Sequence, residues 1–251
     1  MALPSLLALA APVMLPEDSN TNILMLLRWV HFLAGITWIG ILYFFNLVNV
    51  PFMKQVDAGM KPKVFEHLTG PALWWFRWGA VVTVLAGITY WMMIGSTDAR
   101  NAGGDVTPGT AFGSFFAIWI GVFAIEYVLI KVVGLNKGPV LAAIMAVLVV
   151  AASWLYLSLN SHGWESNRML SIGIGGGMGL VMLLNVWGII WPNNKKVING
   201  TLAGTPPADA ATLGRQAFLA SRTNAWLSLP MLFFMAAASH YPMFTNITTA
   251  P

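Results

Sequence analysis

Four histidines stand in a chain of 251 residues that has no cysteine, and imidazole nitrogen is the side-chain donor best suited to haem iron or another transition metal here. His31 sits inside an apolar run, Arg28-Trp29-Val30-His31-Phe32-Leu33-Ala34-Gly35-Ile36-Thr37-Trp38. An ionisable ring in hydrocarbon needs a partner, which makes it a functional candidate. Gly35 and Trp38 follow one and two turns later on nearly the same helix face. They would offer a small residue beside a cofactor ring and an aromatic wall. Ligation of haem b by His31 is one reading; a neutral ring hydrogen-bonded to an adjacent helix is the other.

His240, in Ser239-His240-Tyr241-Pro242, and His162, in Ser161-His162-Gly163-Trp164, are expected near the same membrane surface as His31. The three are the candidate haem-iron ligands. At 1.5 Å per residue His31 is expected roughly 10–15 Å deeper than His240, which counts against a bis-histidine pair. His67, beside Glu66, is expected to be solvated at the opposite surface.

Two further charges fall inside apolar runs. Arg77 and Glu126 are expected at equal depth, where opposite charges pair because either alone is costly in lipid. Asn185 lies near their level and could join them. A proton path or a quinone head-group site would call on the same residues; structural pairing is the expected role. There is no Walker loop, no G-x-G-x-x-G after a strand, no H-E-x-x-H and no nucleophile motif.

The elements that must hold these residues follow from composition. With 57% hydrophobic and 9% charged residues and a mean hydropathy of +0.71, the chain has too little polar surface for a soluble fold. Six runs, about 22–46, 70–95, 110–133, 138–160, 168–192 and 217–241, are long and apolar enough for membrane helices. The expected fold is all-α: a polytopic transmembrane bundle of about six spans, forming a single integral membrane domain over residues 1–251. Lysine-rich connections alternate with neutral or acidic ones, which sets both termini on the periplasmic side. Residues 1–20 are expected to form a short interfacial segment, and 193–216 a cytoplasmic loop. Topology accounts for most of the net charge of +4, so a nucleic-acid partner is not expected. Tryptophans near the helix ends suit the lipid interface. Gly173, Gly175, Gly176, Gly177 and Gly179 make small-xxx-small pairs, for close helix packing or a flat cofactor. Without cysteine, covalently attached c-type haem and iron–sulfur clusters are excluded from this chain.

The run from Arg28 to Gly40 resembles the opening of the membrane domain of bacterial membrane-bound urate oxidases. Leu73-Trp74-Trp75-Phe76-Arg77-Trp78 is similar to that family's entry to its second span. Val186-Trp187-Gly188-Ile189-Ile190-Trp191-Pro192-Asn193 with Lys195-Lys196, and Ser221-Arg222-Thr223-Asn224 through Leu229-Pro230 to Ser239-His240-Tyr241-Pro242, are further similar segments. The resemblance implies a bacterial inner (cytoplasmic) membrane and urate oxidation with electrons passed to the respiratory chain. Its histidine-bearing motifs fall on His31 and His240. In the family a cytochrome c domain commonly follows the membrane domain. This chain is expected to work with a separate periplasmic cytochrome c, or in a larger membrane complex, as an electron-transfer subunit that holds haem b. A urate hydroxylase-like oxidoreductase and a cofactor-free structural subunit are the alternatives.

Overall fold

Long apolar runs with few interior breakers satisfy their backbone polar groups internally, and in lipid only a helix can do so within one segment. The computed structural model describes residues 16, 18–103 and 106–244, and its elements are helical. They comprise α1 (Ser19–Gln55), α2 (Ala58–Ala102), α3 (Gly109–Val132), α4 (Gly138–Asn160), α5 (Asn167–Leu202) and α6 (Ala210–His240). Among the described residues there is no strand. The interfacial segment expected over residues 1–20 lies mostly outside the described residues.

Local chemistry sets the ends. The Asp18 carboxylate caps α1, accepting from the Asn20 and Thr21 amides at 3.2 and 2.8 Å and from the Thr21 hydroxyl at 2.7 Å. The Thr21 hydroxyl bond and these amide bonds hold its carboxyl below the usual range. Ser166 caps α5 by accepting from Met169 N–H. Gly103 and Gly204 stop α2 and α5 with φ of 72° and 70°, a left-handed turn that costs glycine nothing.

Among the described residues five helices, α1 to α5, are long and apolar enough to cross a membrane. α6 has the length, 31 residues, but its inward face carries Thr223, Asn224 and Ser228, all buried. Its polar residues therefore serve the core rather than face water. α5 is the hub, packing on α2, α3, α4 and α6, while α1 lies at the edge, mainly against α2. The edge position leaves Ile36 71% exposed, a side chain suited to lipid.

Sequence boundaries are too short at several ends. Helix continues through Leu202, so the expected loop 193–216 shrinks to 203–209. The reason is amphipathicity: Asn193 and Ile198 turn inward while Lys195 and Lys196 stay exposed. Likewise α2 starts well before residue 70.

The glycines of α5 seat aromatic rings as well as a helix. A Cβ at Gly177 would collide with the Trp119 indole, one at Gly173 with Tyr156, and one at Gly175 would lie 3.0 Å from the Met231 carbonyl oxygen. Trp119 Nε1 donates to Gly173 O at 3.1 Å. The flat group in this groove is the protein's own tryptophan, and close helix packing is confined to the α6 side.

Four stretches wind as π-helix: Phe44–Asn49 in α1, Phe65–Thr69 in α2, Val128–Val132 in α3 and Val186–Ile190 in α5. Each widens the helix and shifts the facing of the side chains that follow, a feature often found at functional sites. All four lie at the end of the bundle that carries Lys54, Lys61, Lys63, Lys131, Lys195 and Lys196. That is the lysine end; the opposite, histidine end carries His162 and His240.

Candidate functional site

At the lysine end, polar side chains from four helices make buried hydrogen bonds. Asn185, at the start of the π-helical stretch of α5, donates from Nδ2 to Glu126 Oε2 and to Asn224 Oδ1, both at 2.9 Å. Asn224 Nδ2 donates to the Met182 carbonyl at 2.9 Å. Glu126, Asn185 and Asn224 are each 0% exposed. One layer further out, Lys131 Nζ donates to Asn193 Oδ1 and Gln216 Oε1 at 3.0 Å each. Asn193 Nδ2 donates to the same Gln216 oxygen at 3.0 Å. On the α1 side, Tyr43 and Ser228 hydroxyls share a hydrogen bond of 2.9 Å, and Asn46 Nδ2 donates to Ser221 Oγ at 2.9 Å.

The expected Arg77–Glu126 ion pair does not form. Arg77 Cζ lies 3.8 Å from the Trp191 ring centroid, 5.7 Å from that of Trp187 and 5.8 Å from that of Trp78. The cause is topological: α5 packs on both α2 and α3, presenting Trp187 and Trp191 to the arginine and Asn185 to the glutamate. Equal depth did not bring the charges to the same side of the hub. A guanidinium over indole faces is held by cation–π attraction, which lipid does not screen.

At the histidine end the expected ligands are dispersed. His31 Nδ1 lies 2.8 Å from the Thr83 carbonyl oxygen. An acceptor oxygen there fixes the hydrogen on Nδ1 and leaves Nε2 uncommitted. The ring lies flat enough on α2 that a Cβ at Gly87 would come within 2.9 Å of it. The ring is thus tied to a neighbouring helix through Nδ1, with Nε2 left outside that bond. The expected cofactor room beside it is filled. A Cβ at Gly35 would lie 3.5 Å from the Thr83 side chain, and Trp38 is buried where Gly79 of α2 approaches it.

His240 is exposed at the end of α6. Two contacts between α1 and α6 bear on its depth: counted from Tyr43–Ser228, His31 and His240 each lie twelve residues away, and counted from Asn46–Ser221 they lie fifteen and nineteen away. The second count sets His240 about 6 Å further toward the histidine end than His31. No contact joins the two rings.

His162 belongs to a different construction. Glu165, with its side chain 1% exposed, accepts from the His162 amide at 2.9 Å and meets its Nδ1 at 3.0 Å. This carboxylate orients the ring and leaves Nε2 for an incoming group, as in histidine bases. The residue lines an open cavity of about 570 Å³ with Asp98, Asn101 and Trp164. Asp98 Oδ2 in turn accepts from the Ser166 amide and hydroxyl, locking the cavity wall to the cap of α5. His67 is solvated beside Glu66, at 3.6 Å, as expected. Among the described residues no cluster of three or more His, Asp or Glu side chains is arranged to hold a metal ion.

Sequence reasoning missed Glu165 as the orienting carboxylate, and Asn193, Gln216 and Asn224 as network members. A signal existed for the last three: each is a carboxamide in or beside an apolar stretch, where lipid would not tolerate it.

A match to the description "urate oxidase N-terminal" covers residues 59–250. The chain belongs to the urate oxidase N-terminal family. No curated protein and no solved structure matches it. The matched stretch of this chain includes Arg77, Glu126, Asn185, Asn224, His162 and His240. His31, on α1, stands ahead of it.

Proposed function

We propose that this member of the urate oxidase N-terminal family is a multi-pass subunit of a bacterial inner-membrane electron-transfer assembly, crossing the bilayer six times with both termini periplasmic. In this reading α6 is the sixth span, with its polar face turned inward. The subunit holds haem b through His31 and passes electrons to a separate periplasmic cytochrome c or within a larger membrane complex. The observation that carries the reading is the His31 ring, whose Nδ1 is bound to the Thr83 carbonyl oxygen at 2.8 Å.

The donor chemistry fits: a backbone acceptor on Nδ1 orients the ring and raises the basicity of Nε2, the usual second-shell support for an iron-ligating histidine. His240, exposed at the histidine end of α6, is the second residue that would hold the iron. Bound there, haem supplies one-electron chemistry. The protein's part is to fix the tautomer, hold the ring against α2 and keep water from its buried side. The space next to Gly35 and Trp38 is closed by α2, so a haem has to approach from the outward side of His31. The test is the reduced-minus-oxidised absorption spectrum of the purified chain. A Soret band that His31→Ala abolishes, with helix content retained, is expected; an unchanged band in that variant removes His31 from the site.

One observation favours a second reading, a urate hydroxylase-like enzyme. The His162–Glu165 pair faces an open cavity, so His162 can act as a base toward a small polar substrate while Trp164 offers a stacking face. Urate consumption by membranes containing this chain with an added electron acceptor, lost in His162→Ala, is the outcome that reading requires.

A further inference from the structure

Glu126 and Asn185 leave two buried oxygens without a donor. Glu126 Oε1 and Asn185 Oδ1 have no hydrogen-bond partner, although both residues are wholly enclosed. The Thr223 hydroxyl is a further donor beside the Glu126 carboxyl, but Asn185 Oδ1 stays without one. Asn185 Nδ2 spends its two hydrogens on Glu126 Oε2 and Asn224 Oδ1, and Asn224 Nδ2 is bonded to Met182 O. Two unmatched groups that are both acceptors mean the cluster lacks a hydrogen, not an oxygen.

Each unmatched oxygen shares a carbon with a group already bonded across the pair. A hydrogen on Glu126 Oε1 directed to Asn185 Oδ1 therefore closes an acid–amide ring of two hydrogen bonds. We propose that Glu126 and Asn185 form a buried proton-binding site, with the proton carried on Glu126 Oε1 and shared toward Asn185 Oδ1. The inference is independent of haem binding and of urate chemistry.

The charged surroundings agree. On α3 itself, Lys131 is held one layer further out by Asn193 and Gln216, and Tyr127 packs on Phe123. α4 has no charged side chain from Gly138 to Asn160, and α5 has none from Met169 to Asn194. On α6, Arg222 lies over Phe218, with Cζ 5.1 Å from the ring centroid. Arg77 of α2 is spent on Trp191, and Tyr43 of α1 on Ser228. No Lys, Arg or His nitrogen comes within 4.0 Å of the Glu126 carboxyl. A proton is thus the one positive charge the site can take without rearrangement. Releasing it would leave Oε2 bonded to Asn185 and strand a carboxylate in the core, so proton loss is coupled to movement of charge or water into this end of the bundle.

Infrared spectroscopy of the full chain in lipid nanodiscs reads this directly. At neutral pH the protein should show one protonated-carboxyl carbonyl band that shifts on slow deuterium exchange. The band should vanish in Glu126→Gln, whose amide supplies both the N–H for Asn185 Oδ1 and the acceptor for Asn185 Nδ2 and so keeps the fold. Absence of any such band from the wild-type protein at neutral pH overturns the proposal, whether or not the variant folds. A second measurement compares thermal stability in sodium and in choline chloride. Equal stability is expected; sodium-dependent stabilisation of the wild type that Glu126→Gln lacks would show a bound cation in place of the proton and overturn it as well.

Discussion

The two ends of the bundle solve opposite problems. At the lysine end, carboxamides from α5 and α6 close around Glu126 and Lys131 until nearly every donor is matched. At the histidine end, His31, His162 and His240 stay on separate helices or connections, and an open cavity remains beside His162. A sealed end stores stability in hydrogen bonds that lipid cannot replace. An open end keeps ring nitrogens free, which is what binding and catalysis require.

The sharpest way to break this contrast is to remove the residue on which the sealed end converges. Asn185→Leu leaves Glu126 Oε2 and Asn224 Oδ1 without donors, and each stranded buried acceptor costs about 1–3 kcal/mol. The variant should be the least stable of the set, losing about 2–5 kcal/mol in denaturant titrations of detergent-solubilised protein. A loss under 1 kcal/mol would mean that these hydrogen bonds do not hold the lysine end together.

Between the ends, the glycine groove gives a paired test. Gly177→Ala drives a methyl group into the Trp119 indole, whereas nothing lies within 4 Å of a Cβ at Gly179. Overpacking of this kind costs about 1–3 kcal/mol, so a melting-temperature drop is expected for Gly177→Ala and none for Gly179→Ala. Equal drops would show that the groove is not shaped by the indole.

The smallest stability effect is expected at the open end. Glu165→Gln keeps an acceptor for the His162 amide but removes the charge that orients the ring. Stability should change by less than about 1 kcal/mol, while the His162 ring, followed by NMR of labelled histidine, should lose its fixed orientation. A large destabilisation instead would place His162 and Glu165 in a structural role like that of Asn185.

How much of this was legible differs between the two ends for a physical reason. The helical bundle and its family could be read because long apolar runs and the motifs around Arg77, Trp187 and His240 are local features. The Arg77–Glu126 pair could not be settled, since depth along a helix follows from counting residues and facing does not. The π-helical stretch Phe65–Thr69 lies ahead of Arg77 and Val186–Ile190 ahead of Trp191, and each changes the facing of the side chain that follows. His31 and His240 show a related limit: predicted helix ends separated them in depth, and the contacts of α1 with α6 reduce that separation. The 193–216 connection was drawn too long because lysines and asparagines resemble a loop until Asn193 and Ile198 are seen to face inward.

The absence of cysteine allows the central claim, a bundle that sets its lysine and histidine ends on opposite faces of a membrane, to be tested by single substitutions. Lys63→Cys and His162→Cys, each expressed in cells and exposed to a membrane-impermeant thiol reagent, report the two ends separately. The account predicts that Cys at position 162 is labelled in intact cells and Cys at position 63 only after the membrane is opened. Labelling of both positions from the same side would contradict it.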